Sequence, residues 1–343
     1  MADVTIIGQI DGRDIKAATL FGPGGLRVVL LTYGARLAEL WVPDRDGSLA
    51  DIVLGHDDLQ DWRTQGGYLG ATCGRYSNRI ADGRFVLDGR AIKVDQNEGN
   101  QHLHGGRDGF DRKLWTIDSH SAQHVTFAAA SPDGEMGYPG AVTMRTTYRI
   151  DAAGGLVIEM TAKTNTATVI NMVNHAYFNL AGQGAGDVMG QLLSVCAGFY
   201  LPVDDRLIPT GEVRPVTGTA FDFRALRPIG ALLPGPGGFD HNLCLSAPVA
   251  ADGLRPCLQA LDPVSGRRIT MSTTEPGVQL YTGAHFDATP GKAGQRYARF
   301  AGFAVETQRF PDSPNNPHFP SARLAPGETY RHVMRFDFCP APR

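Results

Sequence analysis

Cysteine is scarce in this chain, and the few cysteines present are far apart. Among 343 residues there are five, which form no CxxC pair: Cys73, Cys196, Cys244, Cys257 and Cys339. A disulfide framework or a cysteine-based zinc site needs paired cysteines at characteristic spacings. Neither is therefore expected.

Excess charge of one sign and long apolar runs are lacking too. The formal net charge is −3 with no run of lysine or arginine, so neither nucleic acid nor an anionic membrane is favoured as partner. No apolar stretch approaches the roughly 18 residues of a transmembrane helix. The first five residues, MADVT, contain no basic segment leading into an apolar one, as a signal peptide would. We predict a cytoplasmic protein, monomeric or homodimeric.

Amphipathic helix patterns are almost absent, and the best helical signal is short, at residues 57–62. Residues 143–150 and 156–162 are β-branched runs joined by a DAAGG turn, which predicts a hairpin. Further strands are predicted at residues 27–32, 84–87, 125–128 and 331–338.

The composition favours one large β domain. The 42 glycines and 22 prolines are spread along the chain, so no linker divides it. A hydrophobic content of 42% is enough for a full core at this length. We predict an all-β fold, a sandwich of large antiparallel sheets, in a single domain spanning residues 1–343.

Glu306 is the most informative carboxylate. It lies in the segment FAVETQRFPDSP, residues 303–314, at the end of an apolar strand-like run that two prolines stop. Apolar neighbours disfavour the charged carboxylate and raise its pKa towards the range of a general base. The alternative, common for an isolated Glu, is a side chain on the solvent-facing side of a strand.

Two histidine motifs precede Glu306, NQHLHGG at residues 100–106 and VNHAYFNL at residues 173–180. A nearby carboxylate holds a histidine protonated, whereas burial does the opposite. The apolar flanks of His175 predict a strand entering the core, where a hydrogen-bonded structural histidine is the alternative. The two glycines after His104 let the backbone pass close to a ligand.

These motifs resemble those of the aldose 1-epimerases, the mutarotase family that interconverts the α and β anomers of free sugars. The resemblance covers nearly the whole chain and includes residues 74–80, 109–115, 131–140, 200–204, 208–212, 221–223, 238–242 and 276–283. It implies a β-supersandwich with the sugar lying across one concave sheet. Ala176 replaces the Thr that is more usual in the family, and Phe239 replaces a Tyr.

The resemblance also implies residue roles, with Glu306 as general base and His175 as general acid. Sugar contacts are implied at Asn78, Arg79, His104, Asp240 and Gln279. From the residues alone, Asp240 has an alternative as an Asx-type turn residue. Arg79 has two, as a surface residue at a strand edge or as the partner of a structural carboxylate.

Anomer exchange needs a base that removes the anomeric hydroxyl proton and an acid that protonates the ring oxygen. A free monosaccharide is therefore the expected partner, and neither a cofactor nor a metal is predicted. His102 and His104 are two residues apart, so a metal ion shared on one side of a strand is the strongest alternative to a metal-free site.

Three other functions remain open at this point. A glycoside hydrolase or lyase would need a second carboxylate near Glu306, for which Asp240 is the obvious candidate. A non-catalytic sugar-binding module would be expected to have lost Glu306 or His175, and both are present. A sugar-phosphate epimerase would need a cluster of Arg and Lys at the pocket mouth, which the sequence does not reveal. The preferred aldose, hexose or pentose, also stays open.

Overall fold

Antiparallel strands dominate the computed structural model, which describes residues 3–341. The two residues at each end of the predicted domain 1–343, including the start of the MADVT segment, lie outside the described residues. The first elements are β1 Asp3–Ile10, β2 Arg13–Phe21, β3 Arg27–Leu31, β4 Arg36–Pro43, β5 Leu49–Asp51, α1 Leu59–Thr64, β6 Thr72–Cys73, β7 Arg79–Ile80, β8 Arg84–Leu87, β9 Arg90–Lys93 and β10 His102–Leu103.

The middle of the chain forms β11 Thr116–His120, β12 His124–Ser131, β13 Val142–Ile150, β14 Leu156–Thr164, β15 Thr168–Val169, β16 Val173–Asn174, β17 Tyr177–Phe178, β18 Leu192–Val195, β19 Ala197–Tyr200, β20 Arg214–Pro215 and β21 Arg227–Pro228. The last part forms β22 Asp240–Leu245, β23 Arg255–Leu261, β24 Arg268–Thr273, β25 Gly277–Tyr281, β26 Thr289–Pro290, β27 Arg296–Tyr297, β28 Phe303–Gln308, β29 Arg323–Leu324 and β30 Tyr330–Phe338. Short 3-10 turns occur at Pro23–Gly25, Ala81–Gly83, Phe110–Arg112, Glu135–Gly137, Ile229–Ala231 and Ser313–Asn315.

Three large sheets account for most of the strands. Their strand orders are β1-β2-β3-β4-β5, β11-β12-β13-β14-β30-β24-β23-β18-β21 and β17-β28-β25-β22-β19-β20. In the nine-stranded sheet the last strand, β30, lies between β14 and β24, which brings the end of the described chain into the middle of the sheet.

Local sequence signals account for several of these elements. Alternate residues of β13 are buried, as expected for a strand with one face in the core, and Ile150 faces Leu156 across the predicted hairpin. The predicted helix corresponds to the short helix α1. Its first turn is capped by the Asp58 carboxylate, which accepts a hydrogen bond from the N–H of Gln60. No helix among residues 3–341 is long and apolar enough to cross a membrane.

The inner faces of the nine-stranded and six-stranded sheets pack on each other. Phe178 of β17 lies 5.7 Å, between ring centroids, from Phe336 of β30, and one hydrophobic cluster contains residues from Ala18 to Phe336. Two sheets that share a core in this way form a β-sandwich. The prediction of a large antiparallel β-sandwich is confirmed.

Strand β28 presents Glu306 on the face turned away from this core. Val305 belongs to the core cluster and Thr307 bonds to a residue of the nine-stranded sheet, so Glu306 and Gln308 point to the opposite face. The expectation that Glu306 ends its strand was wrong, because β28 continues to Gln308. The paired neighbours Thr307 and Gln308 hold the Glu306 backbone in the sheet.

Candidate active site

A cavity of about 240 Å³ opens on the outer face of the six-stranded sheet. It brings together residues that are distant in the sequence: Gly67, Tyr68, Asn78, Arg79, Glu98, Leu103, His104, His175, Tyr177, Asp240, Tyr281, His285 and Glu306. Six of the seven residues expected at the site therefore line one cavity, and Gln279 lies behind it.

Glu306 and His175 meet at this cavity. The Nε2 atom of His175 is 3.4 Å from Oε1 of Glu306, and both residues are buried, at 3% and 2% exposure. Within the described residues, Oε2 of Glu306 and Nδ1 of His175 have no hydrogen-bond partner. Buried polar atoms without partners are rare and often mark functional positions. The burial also excludes the alternative of a solvent-facing Glu306.

Burial moves the two pKa values in opposite directions. It raises the pKa of Glu306 well above the usual range, helped by the charge of Asp240 and opposed by that of Arg79. It lowers the pKa of His175 to about 3. Both shifts favour the uncharged forms.

The sequence predicted a strand at His175, and this was wrong. His175 lies in the link between β16 and β17. Its backbone N–H donates to the Ala71 carbonyl at 2.8 Å, and its carbonyl accepts from the N–H of Gly70 at 2.8 Å. The ring lies between those of Tyr68 and Tyr177, with centroid distances of 5.8 and 4.9 Å. Backbone bonds and ring contacts thus fix the direction of the imidazole.

His104 reaches the cavity from a tight turn. Its Nδ1 accepts from the backbone N–H of Asn78 at 3.3 Å, so in the neutral ring the proton is on Nε2. Burial lowers the pKa of His104 well below its usual value, and the neighbouring His175 and Arg79 add to this effect. A Cβ at Gly105 would lie 1.8 Å from the Gly74 carbonyl oxygen, so the turn requires glycine there.

Arg79 is held by two carboxylates. Its Nε and one terminal nitrogen donate to Glu98 at 2.6 and 2.7 Å, and NH1 lies 3.6 Å from Oδ2 of Asp240. Bidentate pairs of this kind are among the strong charge-assisted hydrogen bonds. Asn78 precedes Arg79, and its Oδ1 accepts from the Arg79 N–H at 2.8 Å. Arg79 is thus a buried cation at the cavity wall and not a surface residue.

Gln279 fixes Asp240 from behind the cavity. Its Nε2 donates to Oδ1 of Asp240 at 2.6 Å, and its Oε1 accepts from Nε2 of Gln308 at 3.2 Å. Asp240 lies in β22 and opposite Tyr281, so the strand pairing itself places the carboxylate, and the turn interpretation was wrong. A direct sugar contact of Gln279 stays a prediction.

Among residues 3–341, one group of side chains is close enough to hold a metal ion. Ligand atoms of His104, His175 and Glu306 all lie within 4.8 Å of one another. His102 is elsewhere: its Nδ1 donates to the Asp95 carbonyl at 2.6 Å and its Nε2 accepts from the Tyr138 hydroxyl. The alternative of a metal shared by His102 and His104 was therefore wrong, because both nitrogens of His102 are already bonded.

Tyr68, Glu98 and His285 also line the cavity but were not predicted from the sequence. The two glycines before Tyr68 could have indicated a loop at this site. The loop holds Tyr68 at a φ of 57°, and its ring centroid lies 4.6 Å from that of His104. His285 is fixed by Tyr281, whose hydroxyl oxygen is hydrogen-bonded to its Nδ1 at 2.6 Å. Tyr177 and Tyr281 also line the cavity, whereas Phe178 and Phe239 belong to the core between the sheets.

A larger groove of about 660 Å³ lies elsewhere on the surface. Its charged residues are largely paired, as in Lys113 with Glu135 and Arg145 with Asp118. None of the expected site residues lines it. The smaller cavity is the candidate active site, because buried ionisable groups converge there.

Known proteins match this chain over nearly all of its length. The sequence profile of the aldose 1-epimerase family matches residues 16–337. Galactose mutarotase from Bos taurus is 44% identical over 316 residues, covering 91% of each chain. Aldose 1-epimerase from Escherichia coli K12 is 34% identical over 336 residues, covering 96% of each.

Solved structures agree with the sequence matches. The crystal structure of an aldose epimerase homologue from C. elegans has a TM-score of 0.88 at 29% identity and covers 95% of this chain and 100% of its own. The galactose 1-epimerase from Lactobacillus acidophilus NCFM has a TM-score of 0.86 at 26% identity and covers 100% and 99%.

The chain belongs to the aldose 1-epimerase family. It is an enzyme of the isomerase class, of the family that interconverts the α and β anomers of aldoses, as the motifs predicted. The family match also decides against the glycoside hydrolase and the non-catalytic binding module.

Proposed function

We propose that Glu306 and His175 interconvert the anomers of a free aldose by paired proton transfer. The observation that carries this proposal is the 3.4 Å approach of the buried carboxylate and imidazole at one cavity. Glu306 takes the proton of the anomeric hydroxyl while His175 gives a proton to the ring oxygen, and the bond between C1 and the ring oxygen breaks. Rotation about C1–C2 and the reverse transfers close the ring on the other face of the aldehyde.

The proton count of the pair supports these roles. Carboxylate with imidazolium and carboxylic acid with neutral imidazole carry the same single proton. Ring opening converts the first form into the second, and ring closure converts it back. Burial favours the second form, since it raises the pKa of Glu306 and lowers that of His175. The site therefore stabilises the protonation state that accompanies the open-chain aldehyde.

Neighbouring residues would bind and orient the sugar. The proposal assigns sugar contacts to Asn78, Arg79, His104, Asp240 and Gln279, and Gln279 also holds Asp240 in place. The Nε2–H of neutral His104 is a suitable donor to the ring oxygen as charge develops there. The Asp240 carboxylate, whose Oδ1 already accepts from Gln279, has remaining lone pairs for sugar hydroxyls.

The cavity favours one unphosphorylated sugar ring. Its volume of about 240 Å³ is below the roughly 300–1,000 Å³ of pockets for drug-sized ligands, which disfavours an oligosaccharide. Among the described residues that line it, Arg79 is the one Arg or Lys, and it is already paired with Glu98. A phosphate group would lack a free cation. The names of the relatives make galactose the first sugar to test.

The proposal includes the wider setting of the enzyme. It acts as a single domain, without cofactor or metal, in the cytoplasm, as a monomer or homodimer. One hydrophobic cluster that contains residues from Ala18 to Phe336 supports the single domain. The cysteines are odd in number and far apart in the sequence, which suits a reducing compartment.

Polarimetry tests the proposal. Freshly dissolved α-D-galactose, α-D-glucose and α-D-xylose change rotation spontaneously, and the enzyme should accelerate this change without altering its end point. Catalysis of at least one of these sugars is expected. A purified, folded protein that accelerates none of them would contradict the proposed function.

A further inference from the structure

A buried histidine on β30 connects the two segments of the chain that carry His175 and Glu306. His332 is 0% exposed and lies between the sheets. Its Nε2 accepts from the Thr307 hydroxyl at 2.7 Å, and its Nδ1–H donates to the Met172 carbonyl at 2.9 Å. Both ring nitrogens are therefore used, each by a different segment.

These two segments are the ones that matter for proton transfer. Thr307 follows Glu306 in β28 and points to the opposite face of the sheet. Met172 is three residues before His175, just ahead of the short strand β16. One imidazole on the nine-stranded sheet thus holds the side chain of Thr307, beside Glu306, and the backbone that leads to His175.

The direction of each bond is determined by chemistry. A carbonyl oxygen only accepts, so Nδ1 of His332 must carry the proton and Nε2 of the neutral ring must accept from Thr307. Burial keeps the ring neutral, because it lowers the pKa of His332 to about 3. The hydrogen bond to Nε2 of His332 therefore requires a hydroxyl donor at position 307, which threonine or serine can supply.

A second residue of β30 supports the same segment. The N–H of Met172 donates to the Tyr330 hydroxyl at 3.0 Å, and the hydroxyl is 3.3 Å from the Met172 carbonyl oxygen. Tyr330 and His332 are two residues apart and face the same side of the strand. Both peptide groups of Met172 are thus anchored to the nine-stranded sheet.

We propose that Thr307, His332 and Tyr330 are positioning residues that set the separation and orientation of Glu306 and His175. None of them lines the cavity, so they act through the backbone and not on the sugar. The inference rests on the proposed function, because it concerns the geometry of that proton-transfer pair. Displacement of catalytic groups by about 1 Å can reduce the rate by about 10²-fold.

The substitution Thr307→Val tests this bridge, since valine has the shape of threonine but no hydroxyl. We expect kcat to fall by about 10-fold while KM changes by less than about 2-fold, as for an interaction that acts in the transition state. Thr307→Ser keeps the hydroxyl and should return kcat to within about 3-fold of the unmodified enzyme. The matched control is Thr126→Val, which removes a buried hydroxyl bonded to Thr147 at 2.9 Å in the nine-stranded sheet, away from the cavity.

The outcomes separate positioning from general destabilisation. A normal kcat in Thr307→Val would overturn the proposal, as would an equal loss in Thr126→Val or a serine variant as slow as the valine variant. Tyr330→Phe provides a second measurement if Thr307→Val does not fold, and it should show the same fall in kcat at unchanged KM. A normal kcat in Tyr330→Phe would then overturn the proposal. An inactive unmodified enzyme would instead refute the proposed function.

Discussion

Glu306 and Gln279 lie directly opposite each other on neighbouring strands, with their side chains on the same face of the sheet. This pairing puts the carboxylate of Glu306 next to the amide of Gln279. Gln279 in turn donates to Oδ1 of Asp240 at 2.6 Å, on the next strand of the sheet. The sheet register therefore brings Glu306, the proposed base, and Asp240, the proposed sugar-binding carboxylate, together. The histidine arrives from the link between β16 and β17.

His175→Asn should depress turnover more than it weakens sugar binding. Asparagine keeps a polar side chain but cannot deliver a proton to the ring oxygen, a step that matters only in the transition state. We expect kcat to fall by about 10²-fold or more, with a smaller change in the dissociation constant of the sugar. Polarimetry gives kcat, and calorimetry gives affinity.

His124→Asn, on the surface of the nine-stranded sheet, is the matched control and should be normal. If the affinity of His175→Asn collapsed while turnover at saturation survived, His175 would be a binding residue. The acid would then be sought at His104 first.

The pH profile should follow the single proton that Glu306 and His175 share. Burial raises the pKa of Glu306 and lowers that of His175 to about 3. As the pH rises through the raised pKa, the pair loses its proton and no acid remains. As the pH falls towards the lower value, the pair gains a second proton and no base remains.

We therefore expect a bell-shaped kcat/KM profile after subtraction of the spontaneous reaction, with limits that belong to the pair and not to one residue. Polarimetry over the pH range in which the protein stays folded measures it. A value that rises continuously through the alkaline range would contradict a shared proton.

Glu98→Gln should weaken sugar binding modestly. Glu98 holds Arg79 through two hydrogen bonds of 2.6 and 2.7 Å, and its side chain is 38% exposed, so screening by solvent reduces its contribution. We expect KM to rise by about 2- to 5-fold with a smaller change in kcat. Glu212→Gln breaks a similar bidentate pair with Arg214 on the surface and is the control. Equal KM values in both variants would show that Arg79 does not need Glu98.

Dialysis against EDTA should leave activity unchanged. Paired proton transfer needs no metal, although His104, His175 and Glu306 are close enough to hold one. Polarimetry before and after dialysis is the measurement, with the dialysed protein also supplemented with zinc or manganese. Loss of activity that either ion restores would overturn the metal-free mechanism.

Local patterns predicted the strands well but not their neighbours. The hairpin of β13 and β14 follows from period-two alternation around a turn, which adjacent residues determine. Glu98, by contrast, lies outside the named strands, and no motif predicted its role. It lies at the site because folding brings it into contact with Arg79. The contact of Thr307 with His332 likewise depends on how two sheets pack, which no local period encodes.

The same limit explains the errors at the histidines. Spacing alone allowed His102 and His104 to share a metal, but the turn at His104, with φ of 49°, sends the two side chains to different partners. The family motifs identified six residues that line the cavity. Tyr68 and His285 were missed because an aromatic wall can be supplied from many positions in a fold.

Glu306→Gln tests the central claim most directly. The amide matches the carboxylate in shape but cannot take the anomeric proton, so mutarotation of α-D-galactose at saturation should slow by at least about 10²-fold with the fold intact. Glu159→Gln, a glutamate paired with Arg331 on the nine-stranded sheet, should keep the rate of the unmodified enzyme. A folded Glu306→Gln variant with near-normal mutarotation would contradict the assignment of Glu306 as the base.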